Sequence, residues 1–343
     1  MLTLTTLAAF ALSPTWTTHV EWEEAGPAPR EHASVFIDKP RNRASVYAGS
    51  GYHPQLQPLA DAWAFDLTDH TWTRLETRGD VPTPGGSKRV AQAGETAYLF
   101  AGYAEGFRCN NDLHRVTFTD DALVFQAIEQ TNPPPARALH ALAFDPETNT
   151  LATALGVSHE GMRPGLWTAT IDADTATWTR IESDTAPSPR FGFAFAADTN
   201  TGQLLVASGQ LEPTRESPLA MTDEVWSLDL RADPPAWTQI QLDAPPEGRR
   251  NPCFAYDDAN DRLAIWCGTA DPRTNVEDHV ILESDAKTRT STTRDDDTGD
   301  TPPRRSSGFG FAHPRDASFW LGFGNSAAGA YQDLARLILN ADD

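Results

Sequence analysis

The chain has 343 residues, a formal net charge of −21 and a hydrophobic share of 39%, enough apolar material for a folded core. So acidic a surface excludes general nucleic-acid binding, which needs a cationic face. Only Lys39, Lys88 and Lys287 are lysines, a pattern that keeps a surface hydrated in salt and that a GC-rich, arginine-favouring genome also produces.

Residues 1–13 are apolar and threonine-rich. They read as the core of a secretory signal lacking its positive leader, or as an extra strand or a disordered arm. The first reading puts the protein in a secreted or periplasmic setting, the second in the cytoplasm. The segment is too short to span a membrane and no other candidate follows.

From residue 14 to 343 one motif recurs, and the whole stretch is read as one domain. An Arg is followed eight residues later by Asp and eleven after that by Gly: Arg30–Asp38–Gly49, Arg137–Asp145–Gly156, Arg190–Asp198–Gly209 and Arg249–Asp257–Gly268. Two degraded copies start at Gly85, closing on Gly102, and at Arg304, closing near Gly324. Starts fall every 52 to 59 residues, a blade-sized period.

Within each unit an apolar strand such as Phe191–Ala197 meets a polar turn, Asp198–Gly202, and a second strand ending in Gly. A loop of variable length leads to a third strand with an aromatic (Trp63, Trp167, Trp226). The fourth carries another (Trp72, Trp178, Trp237). Period-2 patterning and regular turn signals predict an all-β chain of four-stranded antiparallel units. Such sheets cannot bury both faces alone and must stack around an axis. The expectation is a six-bladed β-propeller. The last unit lacks its fourth strand, and Thr15-Trp16-Thr17 repeats that strand's motif, so an N-terminal strand should complete the last blade.

Pro29-Arg30, Pro189-Arg190 and Pro303-Arg304, the acidic Asp61, Asp112 and Asp333 before the third-strand aromatic, and the tryptophans resemble the kelch repeat over residues 15–343. The chain departs from that pattern in ending its second strands on one glycine instead of two. The resemblance implies a galactose-oxidase-like propeller. Kelch-type propellers include protein-binding modules, a copper oxidase of sugars, a sialic-acid epimerase and plant specifier proteins, so the resemblance speaks to fold more than activity. The constellations of the copper and iron members are missing here.

Loops between the second and third strands are the places for a site. Arg108, Arg163, Arg215 and Arg273 stand in four of them. Guanidinium groups suit a carboxylate or phosphate, although Glu105, Glu160, Glu212 and Glu216 nearby could pair with them as surface charge. The expected function is a binding scaffold for a protein loop or a small anionic ligand at the channel mouth. The alternative is an isomerase or lyase on a small anionic or sugar-like substrate, with His53, His159 or Glu216 as acid/base candidates. His53, His159 and His279 are the candidates for a metal, though without local ligand spacing. Asp295–Asp300 could bind calcium or form a charged loop. No cofactor is predicted, with a transition metal or calcium left open. Cys253 and Cys267 flank one hairpin and should face each other, as a disulfide or as two buried thiols; Cys109 is a loop thiol. The recurring Arg residues read as structural, and His32 and His140 beside them as framework histidines.

Overall fold

Four of the repeats open on a short apolar strand that ends in Asp, and in three of them that Asp builds its own turn. The buried carboxylates of Asp145, Asp198 and Asp257 accept the backbone N–H two residues on, from Glu147, Asn200 and Ala259, at 3.3, 2.8 and 3.0 Å. This is the Asx turn, which reverses a chain with a short polar side chain. At Asp38 the carboxylate instead binds the Arg43 guanidinium at 2.9 Å. The returning strand ends on a two-residue left-handed corner. Ala48 has φ 59° and Gly49 105°; Ser208 has 66° and Gly209 114°. The first value lies in the αL well, where a side chain costs about 1–2 kcal/mol. The second lies beyond it, where glycine is at home. That is why one glycine suffices where kelch repeats usually carry two.

The computed structural model describes all residues except 1–11, 23–24, 53–55, 216–218, 243–244, 272–273, 276–278, 284–288, 293–301 and 342–343. Among the described residues every element but the 3-10 turn Glu105–Phe107 is a β-strand. The antiparallel sets run Ser34–Asp38, Arg43–Tyr52, Leu56–Asp66, Trp72–Gly79; then Arg89–Ala93, Thr96–Phe100, Leu113–Phe118, Ala122–Ala127. Ala141–Asp145, Thr150–Ala154, Leu166–Asp172, Thr175–Ile181 follow, and Ala194–Asp198, Gln203–Ala207, Val225–Asp229, Ala236–Ile240. Cys253–Asp257, Arg262–Trp266, His279–Glu283, Arg289–Thr292 come next. In the final set Phe309–Ala312, Ser318–Gly322 and Asp333–Ala341 take Leu12–Glu21 as their fourth strand, with Trp16 opposite Leu337 and a bulge before Thr18. The N-terminal strand thus sits where the orphan tryptophan motif required.

Sheets are joined through their inner ends. The N–H of Gly49 donates to the Gly85 carbonyl, Gly102 to Arg137, Gly156 to Arg190, Gly209 to Arg249, Gly268 to Arg305, and Gly324 back to Arg30, all at 2.8–3.0 Å. The last bond returns to the first repeat, so the array closes on itself as a β-propeller. The hydrophobic core lies between sheets. One cluster packs Phe65 and Ala44 of the first repeat on Trp320 and Phe309 of the last, and the others likewise join neighbours, as with Phe193 and Trp226 against Leu155 and Leu166. Among the described residues outer edges are shared in two places. Ala122–Ala127 pairs in parallel with Trp72–Gly79, and Glu129–Thr131 with Thr175–Ile181. Both cover an edge that would otherwise invite foreign strands.

The recurring Arg residues are fully buried and structural. In each of Arg30, Arg137, Arg190, Arg249 and Arg305, Nε donates to the carbonyl two residues back and Nη1 to the carbonyl eighteen ahead. The sixth repeat therefore uses Arg305, not Arg304. The carbonyl of Phe323 lies eighteen positions on from Arg305 alone, and that reach sets which of the two adjacent arginines turns inward. Among the described residues three of them also grip a carboxylate in or just before their third strand: Arg30 with Asp61 at 2.8 Å, Arg190 with Glu224, and Arg305 with Asp333. The two hairpin cysteines are not joined in a disulfide. Cys253 stands opposite Trp266, so the register sets Cys267 one residue past the facing position.

Candidate functional site

The face bearing the second-to-third-strand loops carries small projecting structures. Val157–Ser158 and Gly161–Met162 form a hairpin with His159 and Glu160 at its tip. Arg163 folds back from it. Its Nε donates to the Ala136 carbonyl at 3.2 Å and its Nη2 to the Glu160 carboxylate. The side chain of Arg163 is 18% exposed, whereas that of His159 is 62% exposed. Arg108 is exposed and follows the turn Glu105–Phe107, where Phe107 is 55% exposed and packs on Tyr103 at 5.2 Å between ring centroids. Arg215 is exposed on the fourth repeat's loop. Of the proposed rim set, then, Arg163 is held by a neighbouring carboxylate and Arg108 and Arg215 face solvent. Arg273, His53, Glu216 and the Asp295–Asp300 segment lie outside the described residues, as does the side chain of His279. Among the described residues no cluster of three His, Cys, Asp or Glu is placed to hold a metal.

Cys109 is half-buried, and burial raises its thiol pKa above the ordinary value, against a backbone hydrogen bond and Arg163. It is a weaker nucleophile than an open thiol.

Below this rim lies a second polar region that the sequence did not flag. His32, Ser87, Leu139, Gly192, Asn251 and Ser307 stand at equivalent points, each two residues after the structural Arg position, and all have positive φ. Their backbones link in series: Ser87 N–H to His32 O, His32 to Ser307, Ser307 to Asn251, Asn251 to Gly192, and Gly192 to Leu139. Beneath this ring the inner strands enclose a chamber of about 320 Å3. Its wall runs from His32 and Asn251 down to Lys39, Gly94 and Ala259, which are exposed on the opposite face. The chamber thus reaches solvent at the turn face, with the linked backbones at its loop-face end.

Arg89 enters this chamber from the second repeat. In the other repeats its column holds Ser34, Ala141, Ala194, Cys253 and Phe309, all small or apolar save one serine. That lone cation among apolar positions is the signal sequence comparison of the repeats could have used. Its Nε donates to the His140 carbonyl at 3.0 Å, and its guanidinium lies 5.4 and 5.8 Å from the ring centroids of Phe195 and Phe254. Burial pushes its pKa down to about 10, far above neutrality, so it stays charged. Burial, with Arg89 second, also pushes His32 down to about 3 and His140 well below the usual histidine range. Both histidines are neutral at physiological pH. Neighbouring Lys88 points away into the sheet, where burial, partly offset by Asp112, lowers it to about 8.

The family profile of the KLHDC2/KLHL20/DRC7 Kelch-repeats domain matches residues 3–201. The chain belongs to the kelch-repeat family. Its kelch sequence is 31% identical over 174 residues to acyl-CoA-binding domain-containing protein 5 of Arabidopsis thaliana, covering 50% of this chain and 26% of that protein. It is 26% identical over 140 residues to N-(sulfonatooxy)prop-2-enimidothioate sulfolyase of Thlaspi arvense, covering 40% and 38%. The chain thus spans well under half the length of either relative. Among solved structures, YjhT superposes with a TM-score of 0.65 at 15% identity, over 92% of this chain and 99% of that one. At that identity the likeness is one of fold. Among the described residues no helix is long and apolar enough to cross a membrane.

Proposed function

We propose that the chain is a six-bladed kelch propeller acting as a binding scaffold, which engages a protein loop or an anionic group on its loop face. Six blades are supported by the run of six four-stranded sets and by the six glycine-to-carbonyl bonds that close on Arg30. Binding is supported by family membership, since kelch domains generally bind proteins. The single observation that carries the position of the surface is Phe107, 55% exposed beside the free cation Arg108. A large aromatic left in water next to an arginine has the composition of an interface anchor. The enzyme reading draws less support, because His159, its described acid/base candidate, stands at a hairpin tip in solvent instead of inside a closed pocket.

The test is a partner screen under crosslinking with the wild type and with a Phe107→Ser, Arg108→Glu double variant. The proposal expects a stoichiometric partner whose affinity drops about tenfold or more in the variant, the loss of one anchor at roughly 1.4 kcal/mol or above. Unchanged partner binding in the variant would overturn this placement of the surface.

A further inference from the structure

Arg89 is a charge without a counter-charge. Among the described residues no Asp or Glu forms an ion pair with it, and burial dominates its environment with only Tyr103 favouring the cation. Three other buried arginines, Arg30, Arg190 and Arg305, each hold a carboxylate. The guanidinium lies over two phenyl rings, and among the described residues its one hydrogen bond is from Nε to the His140 carbonyl. The remaining edge faces the chamber, whose volume of about 320 Å3 lies at the lower end of the range for small-molecule pockets. Phe195, Phe254 and Val90 supply apolar wall.

We infer that the central chamber is a binding site for a small organic carboxylate, held by the Nη edge of Arg89 and reached from the turn face. A planar carboxylate matches the guanidinium fork in two parallel charge-assisted bonds. Phe195 and Phe254 then suit the ligand's apolar body. Chloride or another compact inorganic anion would neutralise the charge but leave the apolar wall unfilled, so organic anions should be preferred. The site is separate from the loop-face surface proposed above and stands or falls without it.

The test is isothermal titration of the purified protein with benzoate, its neutral analogue benzamide, acetate and chloride. The inference expects saturable binding of benzoate, weaker binding of acetate and chloride, and benzamide weaker by about tenfold or more, since only the anion uses the fork. Arg89→Met should lose benzoate binding by a similar factor, and Arg180→Gln, at an exposed residue of the strand Thr175–Ile181, should leave it unchanged. Equal binding of benzoate and benzamide, benzoate binding retained in Arg89→Met, or no saturable benzoate binding by the wild type would each overturn it. If Arg89→Met fails to fold, Arg89→Lys and the benzoate–benzamide comparison on the wild type carry the same decision. Loss of partner binding in the Phe107 and Arg108 variant with benzoate binding intact would separate the two sites.

Discussion

His140 shows how one residue couples the structure to pH. It is fully buried, neither ring nitrogen has a hydrogen-bond partner, and Phe100 packs against it edge-on at 5.6 Å between centroids. Burial first, then Arg89 and Arg137, hold its pKa well below 6.5. The folded protein keeps it neutral, while the unfolded chain takes a proton near the ordinary value. Because the unfolded state binds more protons below about 6.5, stability falls as pH drops through that value, by up to about 1.4 kcal/mol per unit for one such group. Urea unfolding at pH 7.5 and 5.5 should show a smaller acid loss in His140→Leu than in the wild type. The carboxylates Asp61 and Glu224, whose burial is outweighed by Arg30 and Arg190, have lowered values and lose their contribution only further into acid, so they do not confuse this window. An identical slope in both proteins would show that His140 titrates freely in the fold.

The residue scale is also where the sequence was most and least readable. The Asp of the repeat is legible because an Asx turn demands that side chain at that spacing. The Arg is legible for its reach across eighteen residues, yet Arg304 and Arg305 are chemically alike and only the carbonyl of Phe323 separates them. The cysteine pair was misread by one position, because register within a hairpin is fixed by the turn and not by the residues it separates. Arg89 was not legible as part of a site, since nothing local marks it. Its meaning comes from the apolar residues of other repeats that the ring brings around it.

At the scale of the element, the buried arginines fasten the first strand of a repeat to the end of its second and the start of its third. Where a carboxylate completes the set, removing the Arg also leaves that acid unpaired. Arg190→Ala should therefore cost up to about 3 kcal/mol, the low end of the range for breaking a buried pair, because Glu224 keeps a third of its side chain in water. The third repeat offers an internal control. Gly165 occupies the place that Asp61 and Glu224 hold elsewhere, and the environment of Arg137 holds another cation, Arg163, in place of an acid. Arg137→Met should cost less than Arg190→Ala, as measured by urea midpoints. Equal losses would mean that the carbonyl bonds, not the carboxylate, carry the effect. The edge strands were the part of the element scale that sequence could not supply. The parallel pairing of Ala122–Ala127 with Trp72–Gly79 joins two repeats through backbone groups, and backbone bonds leave no mark on side-chain pattern.

At the scale of the whole molecule, the account rests on closure. Period, strand count and the orphan N-terminal tryptophan motif all pointed to a ring, and the strand Leu12–Glu21 and the bond from Gly324 to Arg30 complete it. A closed ring leaves the loop face free to vary and creates the central chamber, so both proposed binding surfaces depend on it. The most direct measurement is native-state hydrogen exchange at the amides of Gly49, Gly102, Gly156, Gly209, Gly268 and Gly324. Each donates across a junction between neighbouring repeats. The account predicts that the Gly324 amide, at the junction of the chain's two ends, is protected as strongly as the other five, opening only in global unfolding. Exchange of Gly324 at the rate of an exposed loop, with the others protected, would contradict a closed ring.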